Sequence, residues 1–474
     1  MAEIVDKQLK RARSERKNVG KALRQKVPFS SHSQWSSVVN RPDPLSLLRT
    51  QDKGRVRKLL PIKYGRMLES PFTFYRGSAV VMTADLAGTP ATGIKAFLCG
   101  DAHLSNFGIF ATPERRMVFD INDFDEAFPG PWEWDLKRLA ASAVIAGRDN
   151  GFSEPSCRQL AEDTARTYAR AIDRFSQMNT LEQWYYHINV DDVQQIFEER
   201  SSIKGRKSAV KMVKKAERHT HGQTLEKLTR TENGRHRIVS DPPLLVPLRD
   251  MVLEHYLTKA DLKKLSEGKV EKTWRAYVAS LPDERRYLLE QYELKDVALR
   301  VGGIGSVGTR CLIVLLQGGL EDDALLLQLK EAGSSVLEAY VDRKTVYDSH
   351  AQRVVIARRV MQATNDIFLG WSKGAYTGVD YYWRQLKDMK GSADVATMDE
   401  DGLKTYLSVC SVCLARAHAR TGDEIKIRGY LGKKGGFARA IGDFSVAYAD
   451  QAERDYETLV KAVKSGRIAA ETDI

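Results

Sequence analysis

Two acidic segments, each directly after a short apolar run, constrain the fold of this chain more than any other feature. Residues 96–99 and 117–121 have the length and composition of buried strands, and the acidic segments 101–106 and 123–126 follow them. Carboxylates just beyond two neighbouring strands converge on one place, where they repel one another unless a cation lies between them. The sequence therefore predicts a divalent-metal site, with Mg²⁺ carrying a phosphate substrate as the first hypothesis.

The bulk properties are those of a large chain without a disulfide framework. Its 474 residues suffice for two or three domains or lobes, and its net charge of +12 favours anionic partners such as nucleotides. It has five cysteines, of which Cys410 and Cys413 lie in an apolar stretch typical of a buried helix. No apolar run approaches the roughly 20 residues that span a bilayer. We therefore expect a cytoplasmic protein with reduced cysteines and no membrane span.

A glycine-rich segment later in the chain has the pattern G-x-G-x-x-G, formed by Gly303, Gly305 and Gly308 and including Ser306. The pattern alone is weak evidence, but an apolar, β-branched run at 311–316 follows it, where a dinucleotide-binding fold would have a helix. Strand, glycine loop and strand is the order of a protein-kinase nucleotide loop, whose backbone N–H groups close over phosphates. This loop is therefore predicted to bind the phosphates of a nucleotide.

Lys330 ends the next apolar run, residues 325–329. A lysine at the end of a buried strand is costly without an anion beside it, and a nucleotide phosphate is the natural partner. The alternative is a surface lysine at the end of a strand.

Residues 100–106, GDAHLSN, resemble the catalytic loop of the aminoglycoside phosphotransferase and choline kinase group. Residues 123–136, with DFDEA, PGP and DL in that order, are similar to the metal-binding aspartate of that group and the stretch after it. Cys99 is a difference, because the group usually has histidine there. The chain also resembles the uncharacterised bacterial family of domain of unknown function 2252 from residues 66–77 to residues 448–455, a likeness that implies no activity.

The order of these motifs differs from that in kinases, where the glycine loop precedes the catalytic loop. The resemblance therefore implies an α+β, protein-kinase-like two-lobe fold that is circularly permuted, with a small antiparallel-sheet lobe and a mostly helical large lobe. Four parts are expected: a basic N-terminal arm at 1–40, a large-lobe part with the catalytic and metal loops and a helical insertion at 41–285, a small nucleotide-binding lobe at 286–392, and C-terminal helices that complete the large lobe at 393–474.

Carried over residue by residue, the resemblance implies a catalytic and metal side of the site. Asp101 would be the base that accepts or orients the substrate hydroxyl proton. His103 would contact the catalytic loop or the metal shell, or have a purely structural role. Asn106 and Asp123 would hold Mg²⁺, and Asp125 and Glu126 would assist the metal or bind a cationic substrate.

The resemblance also implies a nucleotide side, in which Lys330 and the glycine loop hold the phosphates of ATP. The residues expected there are Gly303, Gly305, Ser306, Gly308, Lys330 and Glu338. Glu338 is the expected ion-pair partner of Lys330, with Glu331 as the alternative. Because the helix predicted at 349–364 carries no glutamate, an arrangement based on arginine or glutamine is also open. Asp135 would brace the catalytic loop by hydrogen bonds.

These features predict an ATP- and Mg²⁺-dependent phosphotransferase that acts on the hydroxyl of an unknown small molecule or protein. Two alternatives use the same cleft: nucleotidyl transfer from a nucleotide bound the other way round, and a nucleotide-binding pseudokinase that serves as a scaffold. A basic segment at 204–237 suggests a solvated helical face or a contact patch for an acidic partner. Nucleic-acid binding ranks last, because this segment has no interleaved aromatic residues and no known reader motif.

Overall fold

The computed structural model describes residues 2–35, 40–218, 220–232, 235–320, 323–342, 346–386 and 389–472. The architecture is mixed α+β, as predicted, with one six-stranded antiparallel sheet, three smaller sheets and a large helical core. The six-stranded sheet and its helices pack against the helical core, and a cleft lies between them. Within the described ranges, no helix combines the length and the apolar character needed to cross a membrane.

The N-terminal part of the chain is helical. The helices are α1 (Ala2–Lys26), α2 (Pro44–Gln51), α3 (Leu60–Met67), α4 (Pro71–Gly77) and α5 (Ala79–Ala87). A capping box fixes the start of α4, because the Ser70 side chain accepts from the N–H of Thr73 while the Thr73 hydroxyl accepts from the N–H of Ser70. The cap fixes the first turn of α4, and Arg76 in the last turn of the same helix lines the cleft.

The two predicted strand runs form strands of two different small sheets. The elements are β1 (Lys95–Leu98), β2 (Phe107–Ala111), β3 (Met117–Ile121), β4 (Phe128–Pro131), α6 (Glu133–Asp149), α7 (Glu154–Phe175), α8 (Thr180–Tyr185), β5 (Ile188–Asn189) and α9 (Val190–Arg200). β1 pairs with β4, whereas β3 lies between β2 and β5. The acidic segments are therefore brought together by loops that leave two sheets, not by neighbouring strands of one sheet.

The middle of the chain contains the basic segment predicted at 204–237. Its elements, with those that follow, are α10 (Ile203–Arg218), α11 (His221–Leu228), β6 (Thr229–Glu232), β7 (Arg235–Ile238), β8 (Leu245–Pro247), α12 (Lys259–Lys264), α13 (Val270–Ala279) and α14 (Asp283–Leu289). α10 buries one face through Ala209, Met212 and Ala216, while most of its lysines lie on the exposed face. Residues 219, 233 and 234 of the segment lie outside the described residues.

The six-stranded sheet confirms the predicted order of strand, glycine loop and strand. It contains β9 (Glu293–Arg300), β10 (Cys311–Gln317) and β11 (Ala324–Ala332), followed by α15 (His350–Met361) and then β12 (Gly370–Lys373) and β13 (Asp380–Gln385). The strand order is β12-β13-β11-β10-β9-β8, with every pair antiparallel. Because β8 belongs to this sheet, the lobe begins before the predicted boundary at residue 286.

Helices cover both faces of this sheet. Trp383 stacks on Tyr277 of α13 with ring centroids 4.3 Å apart, whereas the preceding residue, Tyr382, packs in the core that contains α15. Successive side chains of a strand point to opposite faces, so β13 is buried on both sides. Because helices pack on both faces of the sheet, they fix the position of Tyr382 and of Lys330, its partner on β11, relative to the cleft.

The C-terminal part of the chain is helical, as expected for residues 393–474. The helices are α16 (Glu400–Thr421), α17 (Glu424–Leu431) and α18 (Gly436–Lys464), and they pack with α6 and α7 in the helical core. The segment 1–40 was predicted to be a basic arm, but most of it is α1, which packs against α17. The contact is close, since a Cβ atom on Gly20 would lie 2.0 Å from the carbonyl oxygen of Lys426, and Arg16 pairs with Asp423 at 2.8 Å.

Candidate functional site

A cleft of about 570 Å³ between the sheet and the helical core collects residues from both predicted halves of the site. The predicted residues that line it are Asp101, His103, Asn106, Asp123, Asp125, Gly303, Gly305, Ser306 and Lys330. Gly308 and Glu338 do not line it. The structure therefore brings nine of the predicted residues together in one cavity, although the two groups lie about 200 residues apart in the chain.

The catalytic-loop segment begins at Gly100, which only glycine can occupy without strain. Its φ is +77°, and a Cβ atom there would lie 2.3 Å from the carbonyl oxygen of Glu126. Asp135, in the first turn of α6, accepts hydrogen bonds from the N–H groups of Cys99 at 2.8 Å and Gly100 at 3.0 Å. The prediction that Asp135 braces this loop is confirmed.

Asp101, the predicted base, lies at the bottom of the cleft with 19% of its side chain exposed. Arg138 of α6 lies 2.5 Å from its Oδ1 atom, and the same guanidinium donates to the carbonyl of Tyr75 at 2.9 Å. Burial raises the pKa of Asp101 and outweighs the opposing effect of Arg138. A carboxylate with a raised pKa is a stronger base than an exposed one, which suits proton acceptance.

His103, predicted to be catalytic, is buried and held in place. Its Nδ1 atom accepts from the N–H of Ser105 at 3.2 Å, and its Nε2 atom lies 3.6 Å from Oδ2 of Asp101. Burial, together with Arg76 and Arg138, lowers its pKa well below the usual value, so the ring is neutral. A neutral ring whose Nδ1 accepts carries its proton on Nε2, facing Asp101. The geometry therefore gives His103 a positioning role towards Asp101.

Asn106 and Asp123 present oxygen atoms to the cleft on the predicted metal side. The Asn106 amide donates its N–H to the carbonyl of Asp101 at 2.7 Å, which leaves its side-chain oxygen directed elsewhere. The Asp123 side chain is 42% exposed. Burial opposes its ionisation, but Lys330, Arg384 and Lys390 outweigh that effect and lower its pKa. In the described part of the chain, no group of three or more His, Cys, Asp or Glu side chains could hold a metal ion.

Lys330 extends from β11 into the cleft with 7% of its side chain exposed. Its Nζ atom lies 2.6 Å from Oδ2 of Asp125 and 3.9 Å from Oδ1 of Asp123. Burial disfavours the charged amine, but the two carboxylates outweigh it and raise the pKa of Lys330 well above its usual value. The hydroxyl of Tyr382 donates to Oδ1 of Asp125 at 2.5 Å. Both carboxylate oxygens of Asp125, which was predicted to assist the metal, are thus engaged by protein groups.

The predicted ion pair between Lys330 and Glu338 is wrong. Glu338 lies against α15, with its Oε1 atom 3.6 Å from His350 and 3.7 Å from Arg353. The alternative partner, Glu331, pairs with Arg310 at 3.1 Å. Residues 330 and 331 point to opposite faces of the sheet, so Glu331 cannot share the side of the cleft that Lys330 reaches.

Arg353 of α15 links the sheet to the acidic loop in place of a glutamate. It is fully buried, and its guanidinium donates to the carbonyls of Asp125 at 3.0 Å, Gly333 at 2.9 Å and Ala127. The predicted helix has no glutamate, and the sequence therefore left open an arrangement based on arginine. Arg353 supplies an arginine at this place. Here the helix orders the acidic loop through its backbone, and the loop itself supplies the carboxylate for Lys330.

The glycine loop is tethered to the N-terminal part of the chain. Its carbonyl groups accept hydrogen bonds from Arg55 at Gly305 (3.0 Å) and Val307, from the N–H of Val56 at Gly308 (2.7 Å), and from Arg66 at Gly302. Gly308 has a φ of +88°, so it turns the backbone into β10 and does not face a ligand. These contacts fix the loop to the segment 55–66.

Two arginines near Asp101, Arg138 and Arg76, were not predicted as site residues. Arg138 lies three residues after Asp135 on α6, so both reach the catalytic loop from one helical face, a spacing that the sequence does contain. Arg76, at the end of α4, lines the cleft. Its Nε atom is buried and has no hydrogen-bond partner among the described residues, and burial lowers its pKa.

Comparison with known proteins identifies one family. A family model described as an uncharacterized protein conserved in bacteria, DUF2252, matches residues 55–462. No curated protein and no solved structure matches the chain.

Proposed function

We propose that this chain, which belongs to the DUF2252 family, is an ATP- and Mg²⁺-dependent phosphotransferase with a circularly permuted protein-kinase-like fold. The observation that carries the proposal is the position of Lys330, whose Nζ atom meets the carboxylates of Asp125 and Asp123 inside one cleft. A strand lysine after a glycine loop, facing an acidic loop, is the arrangement that positions a nucleotide between two lobes.

The donor atoms on the acidic side suit Mg²⁺. This ion prefers oxygen ligands and is usually held by one or two carboxylates together with phosphate oxygens and water. Asp123 offers an ionised, part-exposed carboxylate, and Asn106 offers an amide oxygen on the same cleft wall. When bound, the metal would neutralise charge on the phosphates.

The opposite wall supplies cations for the phosphates. Lys330 comes from the sheet, and Arg76 comes from α4, with its carbonyl oxygen 4.0 Å from a Cβ atom built on Gly305. An arginine whose buried Nε lacks a partner favours an anion beside it, because a buried guanidinium is costly when unpaired. Arg76 therefore approaches both the glycine loop and Asp101, where a transferred phosphoryl group would pass.

Asp101 would accept the proton in this reaction. The hydroxyl oxygen of the acceptor attacks the γ-phosphorus of ATP, the bond from that phosphorus to the bridging oxygen breaks, and ADP leaves with the electron pair. The hydroxyl proton moves to Asp101, whose raised pKa favours its capture. Arg138 holds the carboxylate in place, and Asp135 holds the loop backbone. Positioning and charge neutralisation supply most of the catalysis of such transfers.

Calorimetric titration of the full chain with ATP and Mg²⁺ tests the binding half of the proposal. Lys330→Met should weaken ATP binding by about tenfold or more, because it removes a charged phosphate ligand. Lys373→Met on β12, two strands away in the same sheet, is the matched control, since Lys373 is exposed, and it should bind ATP like the wild type. Failure of the wild-type chain to bind millimolar ATP would contradict the proposal.

Isotope transfer tests the reaction. The full chain is incubated with ATP labelled in the γ-phosphate or the α-phosphate, together with small-molecule and protein fractions of a bacterial extract. The proposal expects label in an acceptor from the γ-position only, and its loss in Asp101→Asn. Transfer of the α-label would identify nucleotidyl transfer instead, and ATP binding without any transfer would indicate a scaffold.

A further inference from the structure

A second cavity, of about 850 Å³, adjoins the cleft on the side of the sheet edge and α15. The two cavities share Gly302, Gly303, Gln328 and Arg384 as a common wall. We call this second space the cationic cavity, because its lining carries Arg115, Arg300, Arg358, Arg384 and Lys390 but only two acidic residues, Asp323 and Asp366. Nothing in the proposed reaction uses it.

Three of these guanidinium groups converge from separate elements. Arg300 ends β9, Arg358 lies in α15, and Arg384 lies in β13 opposite Gln328 of β11. The Nε atom of Arg384 donates to the Gln328 side-chain oxygen at 2.9 Å, and Arg358, which is 8% exposed, donates to Gln362 at 2.7 Å. Across the described ranges, none of the three forms an ion pair within 4.0 Å.

The acidic residues nearby are engaged by neutral groups. Asp366 accepts from the backbone N–H groups of Phe368 at 2.8 Å and Gln385 at 2.6 Å. Asp323 accepts from the Tyr292 hydroxyl at 2.9 Å. Asp123 lies on the cleft side of the shared wall, where its closest ion pair is with Lys330. Although burial opposes the charge of Arg384, Asp123 and Asp125 act on it across the shared wall and raise its pKa. No carboxylate of the described residues, however, lies within 4.0 Å of the guanidinium groups of Arg300, Arg358 or Arg384.

Three clustered, part-buried guanidinium groups without a direct ion pair are costly, and an anion that joins them reduces that cost. Burial lowers the pKa of both Arg300 and Arg358, in agreement with that cost. Arginine presents planar pairs of donors that match phosphate oxygens, and several arginines around one space suit a group with more than one negative charge. Apolar side chains such as Phe110 and Phe368 line the same cavity and leave room for an organic part.

We infer that the cationic cavity is a binding site for a phosphate-bearing ligand, held by Arg300, Arg358 and Arg384. The inference goes beyond the proposed function, since it requires neither Mg²⁺ nor group transfer. Two kinds of ligand carry such a phosphate group. The ligand is either a second, phosphorylated molecule beside the nucleotide, or the phosphate chain of a nucleotide that enters the cleft the other way round through the shared wall.

Calorimetric titration of the full chain with inorganic pyrophosphate, in the presence of a metal chelator, tests the inference. The wild type should bind pyrophosphate, and the double variant Arg300→Gln, Arg384→Gln should bind it about tenfold or more weakly. Arg275→Gln, at an exposed position of α13, is the control and should bind like the wild type. No binding by the wild type, or equal binding by the double variant, would overturn the inference.

Gln328→Glu provides a second variant that does not remove a cation. It keeps the size of the side chain and places a carboxylate against Arg384, so it should compete with an external anion inside the cavity while the chain stays folded. Pyrophosphate affinity should fall by about tenfold at an unchanged or raised melting temperature. A folded Gln328→Glu chain that binds pyrophosphate as tightly as the wild type would also overturn the inference.

Titration of pyrophosphate into chain already saturated with ATP distinguishes the two kinds of ligand. Additional binding at one equivalent, lost in the double variant, identifies a separate phosphorylated ligand. Competition between ATP and pyrophosphate, with ATP binding also weakened in the double variant, identifies the phosphates of the nucleotide itself. Competition would favour nucleotidyl transfer. Both results require that pyrophosphate binds, so the test of the cavity is separate from the test of phosphotransferase activity.

Discussion

The amine of Lys330 and the carboxylate of Asp125 lie 2.6 Å apart, although 205 residues separate them in the chain. The same carboxylate accepts from the Tyr382 hydroxyl, which also comes from the six-stranded sheet. One acidic side chain thus joins the sheet to the acidic loop. In a site of this kind a helix would ordinarily supply the acidic partner of the lysine, and here the loop supplies it.

Removal of the lysine charge should destabilise the fold as well as the nucleotide site. In Lys330→Met, the part-buried Asp125 loses its cation while Asp123 remains close, so the free energy of unfolding should fall by about 1–3 kcal/mol. Urea denaturation followed by circular dichroism measures the change. Lys373→Met should alter stability little, and an equal loss in that control would show that the Lys330–Asp125 contact is not responsible.

Loss of Arg138 should move the acidic limb of the pH–rate profile upwards. Burial already raises the pKa of Asp101, and Arg138 is the main group that opposes this effect. In Arg138→Gln the pKa of Asp101 should therefore rise further, and phosphoryl transfer should require a higher pH. The measurement is kcat/KM against pH for both proteins. Arg148→Gln, at the far end of α6, should leave the limb in place; an unshifted limb in Arg138→Gln would contradict the assignment of Asp101 as base.

Glu126 should make the fold less stable as the pH rises. Burial raises its pKa from 4.5 to about 7, even though the N–H of Val336 donates to it. Between these two values the folded chain binds more protons at Glu126 than the unfolded chain does, so the free energy of unfolding falls as pH increases. Glu126→Gln should remove this contribution and be more stable than the wild type at pH 8, by about 1–3 kcal/mol, but not at pH 4.

The comparison is made by urea denaturation at several pH values. Glu457→Gln is the control, because Glu457 is 64% exposed on α18. Its stability relative to the wild type should be the same at pH 4 and pH 8. A Glu126→Gln chain with the same pH dependence as the wild type would show that the carboxyl group of Glu126 ionises normally.

Gly100 should tolerate no side chain. A Cβ atom there would collide with a neighbouring group, and this cost is separate from that of the positive φ angle. Gly100 and Gly93 have φ values of +77° and +76°, but only at Gly100 would a Cβ atom meet another group, the Glu126 carbonyl at 2.3 Å. Both alanine variants carry the cost of the left-handed conformation, about 1 kcal/mol. Gly100→Ala should lose at least a further 1–2 kcal/mol and displace the loop from Asp135. Equal losses in thermal denaturation would contradict this.

Much of the site could be predicted because its signals are local. The glycine loop between two apolar runs, the acidic segments after apolar runs, and the helix that starts near Asp135 all depend on residues close together in the chain. The resemblance between motifs places Asp123 and Lys330 on two sides of one site, and the 3.9 Å separation of their charged atoms agrees with it. The helix predicted at 349–364 has no glutamate, so an arrangement based on arginine or glutamine was open. Arg353 of this helix contacts the acidic loop.

Other features depend on contacts that the sequence does not encode locally. Glu338 and Asp125 are both acidic residues near suitable segments, and only the packing of α15 decides which of them reaches Lys330. The arm predicted at 1–40 lacks a broad apolar stripe. α1 nevertheless packs well, because Gly20 permits close approach and arginines such as Arg24 donate to backbone carbonyls of α17. Sequence periodicity does not detect contacts of this kind.

The tether between segment 55–66 and the glycine loop has a consequence for the rate of turnover. In a freely hinged loop, a ligand enters and leaves whenever the glycines bend. Here the loop opens only if Arg55, Val56 and Arg66 release their carbonyl acceptors or move with it. Each opening therefore breaks several hydrogen bonds at once. If the loop binds a nucleotide as proposed, we expect release of the product, and not the chemical step, to limit turnover.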